Sequence, residues 1–231
     1  MRTNLREAAP RSISRWRLFL GFYIVLTAWI LVGRDFVHEP VFAALKNAGY
    51  VATMLLGFWA FQDGFARSWR VTRQRPLLAA GSTVFGLALM GAASALSQVV
   101  MFFFTPPVTS ENQVAINAEV LTSSTSLLEG LLFIGVGGFV APIVEEIVFR
   151  ELPFRRPRSR LLTSVAVVLS CLAFGAIHLR GAGEWQFGVL YVGYAAALTV
   201  AYFVSARNLL VPVTTHVAWN ATGLTYLLLT A

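Results

Sequence analysis

LLEGLLFIGVGGFVAPIVEEIVF, residues 127–149, is an apolar stretch of membrane-crossing length with two adjacent carboxylates, Glu145 and Glu146, near its end. A helix needs about 20 mostly apolar residues to cross the ~30 Å hydrocarbon core of a bilayer. A carboxylate at that depth is costly, and by default it marks a functional place. This one stretch therefore raises both questions that the sequence must answer: a membrane fold, and a polar site inside it.

Working outward, residues 18–32, 41–61, 77–104, 161–179, 185–205 and 209–229 read as further spans. The expected fold is all-α, a polytopic transmembrane bundle of about seven spans, with 1–231 as a single membrane domain. The first span is short and the third long, which implies tilt. Composition agrees. Of 231 residues, 57% are hydrophobic and 13% charged, where a soluble domain carries about 25% charged residues to cover its surface. Mean hydropathy is +0.68.

The net charge of +7 would suggest nucleic acid in a soluble protein. Here the arginines fall between the apolar runs, so topology explains them and no nucleic-acid partner is expected. Arg2, Arg6, Arg11, Arg15 and Arg17 precede the first span. Arg67, Arg70, Arg73 and Arg75 fill the second loop, and Arg150, Arg155, Arg156, Arg158 and Arg160 surround the fourth. The alternate segments hold only Arg34 and Lys46, then none, then Arg180, then none after Arg207. By the positive-inside rule the N-terminus is cytoplasmic and the C-terminus outside. Gly33-Arg34-Asp35 offers no small-x-small cleavage site, so the first helix is expected to stay. Residues 105–126, with Pro106 and Pro107, are expected to be an external loop. Cys171, the one cysteine, can form no internal disulfide and reads as a small buried hydrophobe.

Few ionisable or strongly polar side chains lie at membrane depth. Glu146 and Arg150 are four apart and share a helix face in the favourable acid-before-base order, which a structural salt bridge would explain. Glu145 points about 100° away and has no local partner. His178 ends the run Phe174-Gly-Ala-Ile-His178. His216 and Asn220 are also four apart and face one spot; helix–helix hydrogen bonding is the plain alternative there. His38 lies in the first external loop and reads as solvated. Pro142 and Pro212 each precede a polar motif by four residues, so each either starts a helix or frees a carbonyl, and Gly137-Gly138 loosens the fourth span. By helical rise, Glu145 lies ~15 Å and His216 ~10 Å from the cytoplasmic helix ends, whereas His178 lies ~27 Å up its own helix. Either that fifth helix begins well below the bilayer surface or it is strongly tilted.

Glu145-Glu146-x-x-x-Arg150, Phe174-x-x-x-His178 and His216-x-x-x-Asn220 resemble the three motifs of the CPBP intramembrane protease family, which includes type II CAAX prenyl endopeptidases and bacterial proteins linked to bacteriocin processing or immunity. The resemblance spans a catalytic core at 127–231, and Glu151 stands where a small residue is usual. It implies an intramembrane endopeptidase, glutamic-type or metallo-, acting on a membrane-associated peptide or protein near the cytoplasmic leaflet of a bacterial inner membrane, with CAAX-type processing as one option. Glu145 would activate a water, His178 would help hold it, and His216 and Asn220 would stabilise the oxyanion. Glu146 and Arg150 would support the fold or the charge balance. The cofactor is none or zinc; if zinc, Glu145, His178 and His216 would be its ligands, although no His-Glu-x-x-His helix is present. The chemistry stands beside the resemblance: peptide hydrolysis needs an activated water and donors for a developing oxyanion. The alternative is a non-catalytic membrane protein for binding, immunity or transport. A transporter usually shows repeated halves, and here the polar residues and prolines crowd into the second half.

Overall fold

The computed structural model describes residues 14–104, 110–155, 159–179 and 184–231. Arg2, Arg6, Arg11, Pro106, Pro107, Arg156, Arg158 and Arg180, which bear on the expected topology, lie outside the described residues. The described residues form nine helices and no strand, in the order α1 (Arg15–Val32), α2 (Glu39–Ala60), α3 (Gln62–Gln74), α4 (Pro76–Phe104), α5 (Glu111–Ser123), α6 (Leu127–Phe154), α7 (Arg160–Ile177), α8 (Gly188–Val204) and α9 (Leu210–Thr230). α8 packs along α4 and α7, α9 along α6 and α4, and α1 along α2.

Six helical stretches, covering α1, α2, α4, α6, α7 and the Trp185–Val204 stretch that contains α8, are long and apolar enough to cross a membrane. The expected seventh span is α9. Its 21 residues reach about 31 Å, but its threonines, His216 and Asn220 make it less apolar than the other six. Thr215 and His216 are buried against protein, so α9 needs apolar side chains only on the faces that meet lipid. The bundle thus holds six apolar spans and one polar-lined helix.

Two expected connections are helices instead. Residues 62–75, read as a loop, contain α3, whose buried Gly64 and Ser68 are one turn apart while Trp69, Arg70 and Arg73 are exposed. Residues 105–126, read as an external loop, contain α5, whose first turn is capped by Ser110 Oγ accepting from Gln113 N at 3.1 Å. No glycine or proline interrupts Glu111–Ser123, so nothing stops the helix once it is capped.

α6 is irregular where the glycines predicted it. Residues Ile134–Val140 and Ile147–Glu151 are π-helical, and α-helical turns lie before, between and after them. Ala141 N donates to Val136 O, five residues back. In that register the next acceptor, Gly137 O, would need the N–H that Pro142 lacks. Pro142 therefore frees a carbonyl inside a continuous helix, whereas Pro212 lies in the first turn of α9. Gly138 lets the two helices close up: a Cβ there would stand 3.0 Å from Ala221 Cα. Small residues at such crossings are how membrane helices reach close packing.

α3 braces the basic end of the bundle. Arg67 Nη2 donates to both carboxylate oxygens of Glu151 in α6, at 2.9 and 3.1 Å. Ser68 Oγ accepts from Leu209 N at 2.9 Å, and Thr72 Oγ1 accepts from Asn208 Nδ2 at 2.8 Å. These bonds hold the tight turn before α9, in which Ala206 and Arg207 take left-handed φ of 60° and 58°. Non-glycine residues there cost of order 1 kcal/mol or more each and persist only when their surroundings fix them.

Two substitutions test this packing. Gly138→Val should separate α6 from α9 and destabilise the protein by about 1–3 kcal/mol, read as a lower unfolding temperature in detergent. Arg67→Ala strands the buried Glu151 carboxylate; since Arg67 is 40% exposed, the loss should stay below the 3–5 kcal/mol of a fully buried pair. Adding Glu151→Leu should restore most of it.

Candidate active site

The motif residues of α6 and α9 meet inside the bundle. Glu146 and Arg150 are fully buried, and Glu145 and His216 nearly so. His216 Nδ1 lies 2.8 Å from Glu146 Oε1. Arg150 Nε stands 3.1 Å from Glu146 Oε2, near enough for an ion pair but not aligned as a hydrogen bond. Arg150 Nη2 donates to Ala195 O at 3.0 Å, and its guanidinium sits 5.0 Å from the Phe174 ring. Glu146 is thus a shared counter-charge for one cation on its own helix and one ring on α9.

Glu145 is different. Among the described residues it makes no hydrogen bond, and its ion-pair neighbour is His216 Nε2 at 3.9 Å. That is too long for a direct hydrogen bond. Tyr23 of α1 lies within electrostatic reach of the same carboxylate.

His178 joins the cluster through Phe174. Its ring stacks on Phe174 at 4.5 Å, and Phe174 in turn lies 5.9 Å from His216 and 5.3 Å from Phe149. His178 also lies within electrostatic reach of Glu145, His216 and Arg150. The depth conflict resolves through Ser170, whose Oγ donates to Phe149 O at 2.6 Å and so sets the two helices level. From that level α6 continues five residues to Phe154, ~7 Å, while α7 runs back ten to Arg160, ~15 Å. Counted along the two helices from that bond, α7 reaches ~7 Å further towards the basic end than α6 does. The His178 side chain then folds back towards the N-terminus of its helix, as helical side chains do.

Hydrogen bonding fixes which ring nitrogens can work. Phe174 O only accepts, and it meets His178 Nδ1 at 2.8 Å. That nitrogen must carry a proton, so in the neutral ring the lone pair sits on Nε2. His216 Nδ1, facing a carboxylate oxygen, is likewise the donor. Both rings engage Nδ1 in these bonds, and among the described residues neither Nε2 makes a hydrogen bond. Asn220, half-buried one turn beyond His216, places Nδ2 3.5 Å from Gly137 O, the carbonyl freed by Pro142. Among the described residues it makes no hydrogen bond to Glu145 or to either histidine. Among the described residues, no three His, Cys, Asp or Glu side chains are grouped closely enough to hold a metal ion.

Sequence reasoning missed the aromatic and hydroxyl surroundings. Tyr23 on α1 and Tyr191 on α8 both border the cluster. Their signal was available: a tyrosine in an apolar span needs a partner for its hydroxyl. Glu151 was noticed only as an unusual residue, yet a carboxylate at membrane depth was itself the signal.

No curated protein and no solved structure matches the chain. A family match exists for the segment that carries this geometry: residues 127–222 match the model of the type II CAAX prenyl endopeptidase Rce1-like family. α6, α7, α8 and most of α9 lie inside the match, so the segment that carries the site is similar to this family.

Proposed function

We propose that the chain hydrolyses a peptide bond of a membrane-associated protein or peptide, with Glu145 as general base. The observation that carries this reading is the buried His216 ring, donating from Nδ1 to Glu146 and turned with Nε2 towards an otherwise unbonded Glu145. Residues 127–231 form the catalytic core in this reading, and α1–α4 support it.

The reaction then runs as follows. A water donates one hydrogen bond to Glu145 and one to His178 Nε2. Glu145 takes its proton while the water oxygen bonds to the scissile carbonyl carbon, and the carbonyl π pair moves onto oxygen. Donation to that oxyanion from His216 Nε2 requires the imidazolium, which Glu146 is placed to balance. Asn220 adds a second donor, since its amide carries two N–H groups and Gly137 O engages one. Collapse of the tetrahedral intermediate breaks the C–N bond, and Glu145 returns its proton to the leaving amine. The fold needs no metal for these steps, and we propose a metal-free route. CAAX-type substrates, prenylated at cysteine near the C-terminus, are the class the family suggests. We also propose a cytoplasmic N-terminus and an external C-terminus in a bacterial inner membrane. Support comes from the arginine distribution and from α9, long enough to supply a seventh crossing.

Purified protein in detergent should cleave a prenylated, fluorescence-quenched peptide. Glu145→Gln should lower kcat by roughly 10²–10⁴-fold, the usual contribution of a general base, with an unchanged unfolding temperature. Full activity in that variant would remove Glu145 from the mechanism. Elemental analysis should find no stoichiometric metal and chelators should leave the rate unchanged; one zinc per chain would replace the metal-free route with a metalloenzyme.

A further inference from the structure

α5 lies at the far end of the bundle from the arginine-rich segments, yet it is tied to the site. Asn112, in its first turn, donates from Nδ2 to the Tyr191 hydroxyl at 3.0 Å. Tyr191 is buried, and its ring stacks on His178 at 4.8 Å with planes 23° apart. The other stacking partner of His178 is Phe174, 28° from parallel. The imidazole is thus held between two rings, one on its own helix and one on α8. α5 is fixed independently: Ser110 caps it, Glu184 accepts from the Glu111 amide, and Lys46 of α2 pairs with Glu119 at 2.6 Å. The helix contacts α6 and α9 as well.

From these contacts we infer that Asn112 and Tyr191 are positioning residues for His178. The inference rests on the proteolytic reading of the site only for its kinetic consequence. A stacked histidine hydrogen-bonded through Nδ1 keeps one tautomer and one ring direction, so Nε2 presents its lone pair at a fixed place. If Tyr191 swings away, the ring can rotate about its side-chain bonds, the Phe174 carbonyl bond loosens, and the Nε2–H tautomer, which is a donor and useless as a water acceptor, gains population. The Asn112 hydrogen bond fixes the Tyr191 ring plane. The chain Asn112–Tyr191–His178 makes the docking of α5 a condition for a competent site.

The test uses Asn112→Ala, Tyr191→Phe and the double variant of the full chain in detergent. With ¹⁵N-labelled histidine only three residues report, assigned by single substitutions. Long-range nitrogen–proton correlations should show His178 as the Nδ1–H tautomer in the parent protein and as a mixture in each variant. On the prenylated peptide, kcat should fall about tenfold in either single variant with KM unchanged, and the double variant should be no worse than the singles. Asn112→Asp, whose carboxylate can accept from the Tyr191 hydroxyl in place of the lost N–H donor, should keep more of the parent behaviour than Asn112→Ala. An unaltered His178 tautomer, or additive losses that follow the unfolding temperature, would overturn the inference. A changed tautomer in a protein that cleaves nothing would uphold the inference and count against the proteolytic reading alone.

Discussion

A carboxylate with no access to water must find its counter-charge in the protein, and Glu146 sets that constraint here. It is fully buried between α6 and α9, and it is served by Arg150 one turn along its own helix and by His216 across the helix boundary. Breaking a buried pair by removing one partner costs about 3–5 kcal/mol, because the other charge stays unsolvated. Three ionisable groups that cannot be separated cheaply fix the register of two helices. Gly138 against Ala221 supplies the close approach that this register requires.

The same constraint explains features that look like defects in isolation. α6 is wound irregularly on both sides of the two glutamates, and π-helical turns of this kind often accompany functional sites. Here the first of them, with Pro142, leaves a carbonyl that Asn220 addresses from α9. α9 can be less apolar than its neighbours because its polar side has work inside the bundle. At the basic end, Glu151 repeats the arrangement at lower stakes, with Arg67 reaching in from α3 and Tyr202 placing its hydroxyl 3.4 Å from the carboxylate.

Much of this was legible in the chain, and the reason is the bilayer. An apolar run leaves few places for a charge, so Glu145, Glu146, Arg150, His178 and His216 stand out without any neighbour information. Helical spacing paired Glu146 with Arg150 correctly. It could not show that His216 would bond to Glu146 and face Glu145 from the other side, because that depends on the angle at which α6 and α9 pack. The depth of His178 stayed open between a low start and a strong tilt of α7, because the bond between Ser170 and Phe149 links two helices and leaves no trace in spacing. α3 and α5 were read as loops because their polar composition resembles a connection, while the cap at Ser110 and the buried Gly64–Ser68 face are local signals that outweigh composition. Tyr191 was passed over for a plainer reason: its hydroxyl is a signal, but a tyrosine in an apolar helix looks like packing until its two faces and its partner are assigned.

A structural explanation of the cluster accounts for some of its atoms and not for others. Glu146 Oε1, Arg150 Nη2 and the Nδ1 atoms of both histidines are spent on holding helices together or fixing ring planes, while Glu146 Oε2 and Arg150 Nε and Nη1 are buried without a hydrogen bond. Glu145 and the two Nε2 atoms are not spent in this way among the described residues. Native interiors satisfy their buried polar groups in the large majority of cases, and a membrane interior penalises exceptions more heavily. A scaffold would have had no reason to keep Glu145 at all, since leucine would fill the place without a charge. A base, an acceptor and a donor at the centre of this cluster are what the proposed hydrolysis of a carbonyl bond would require.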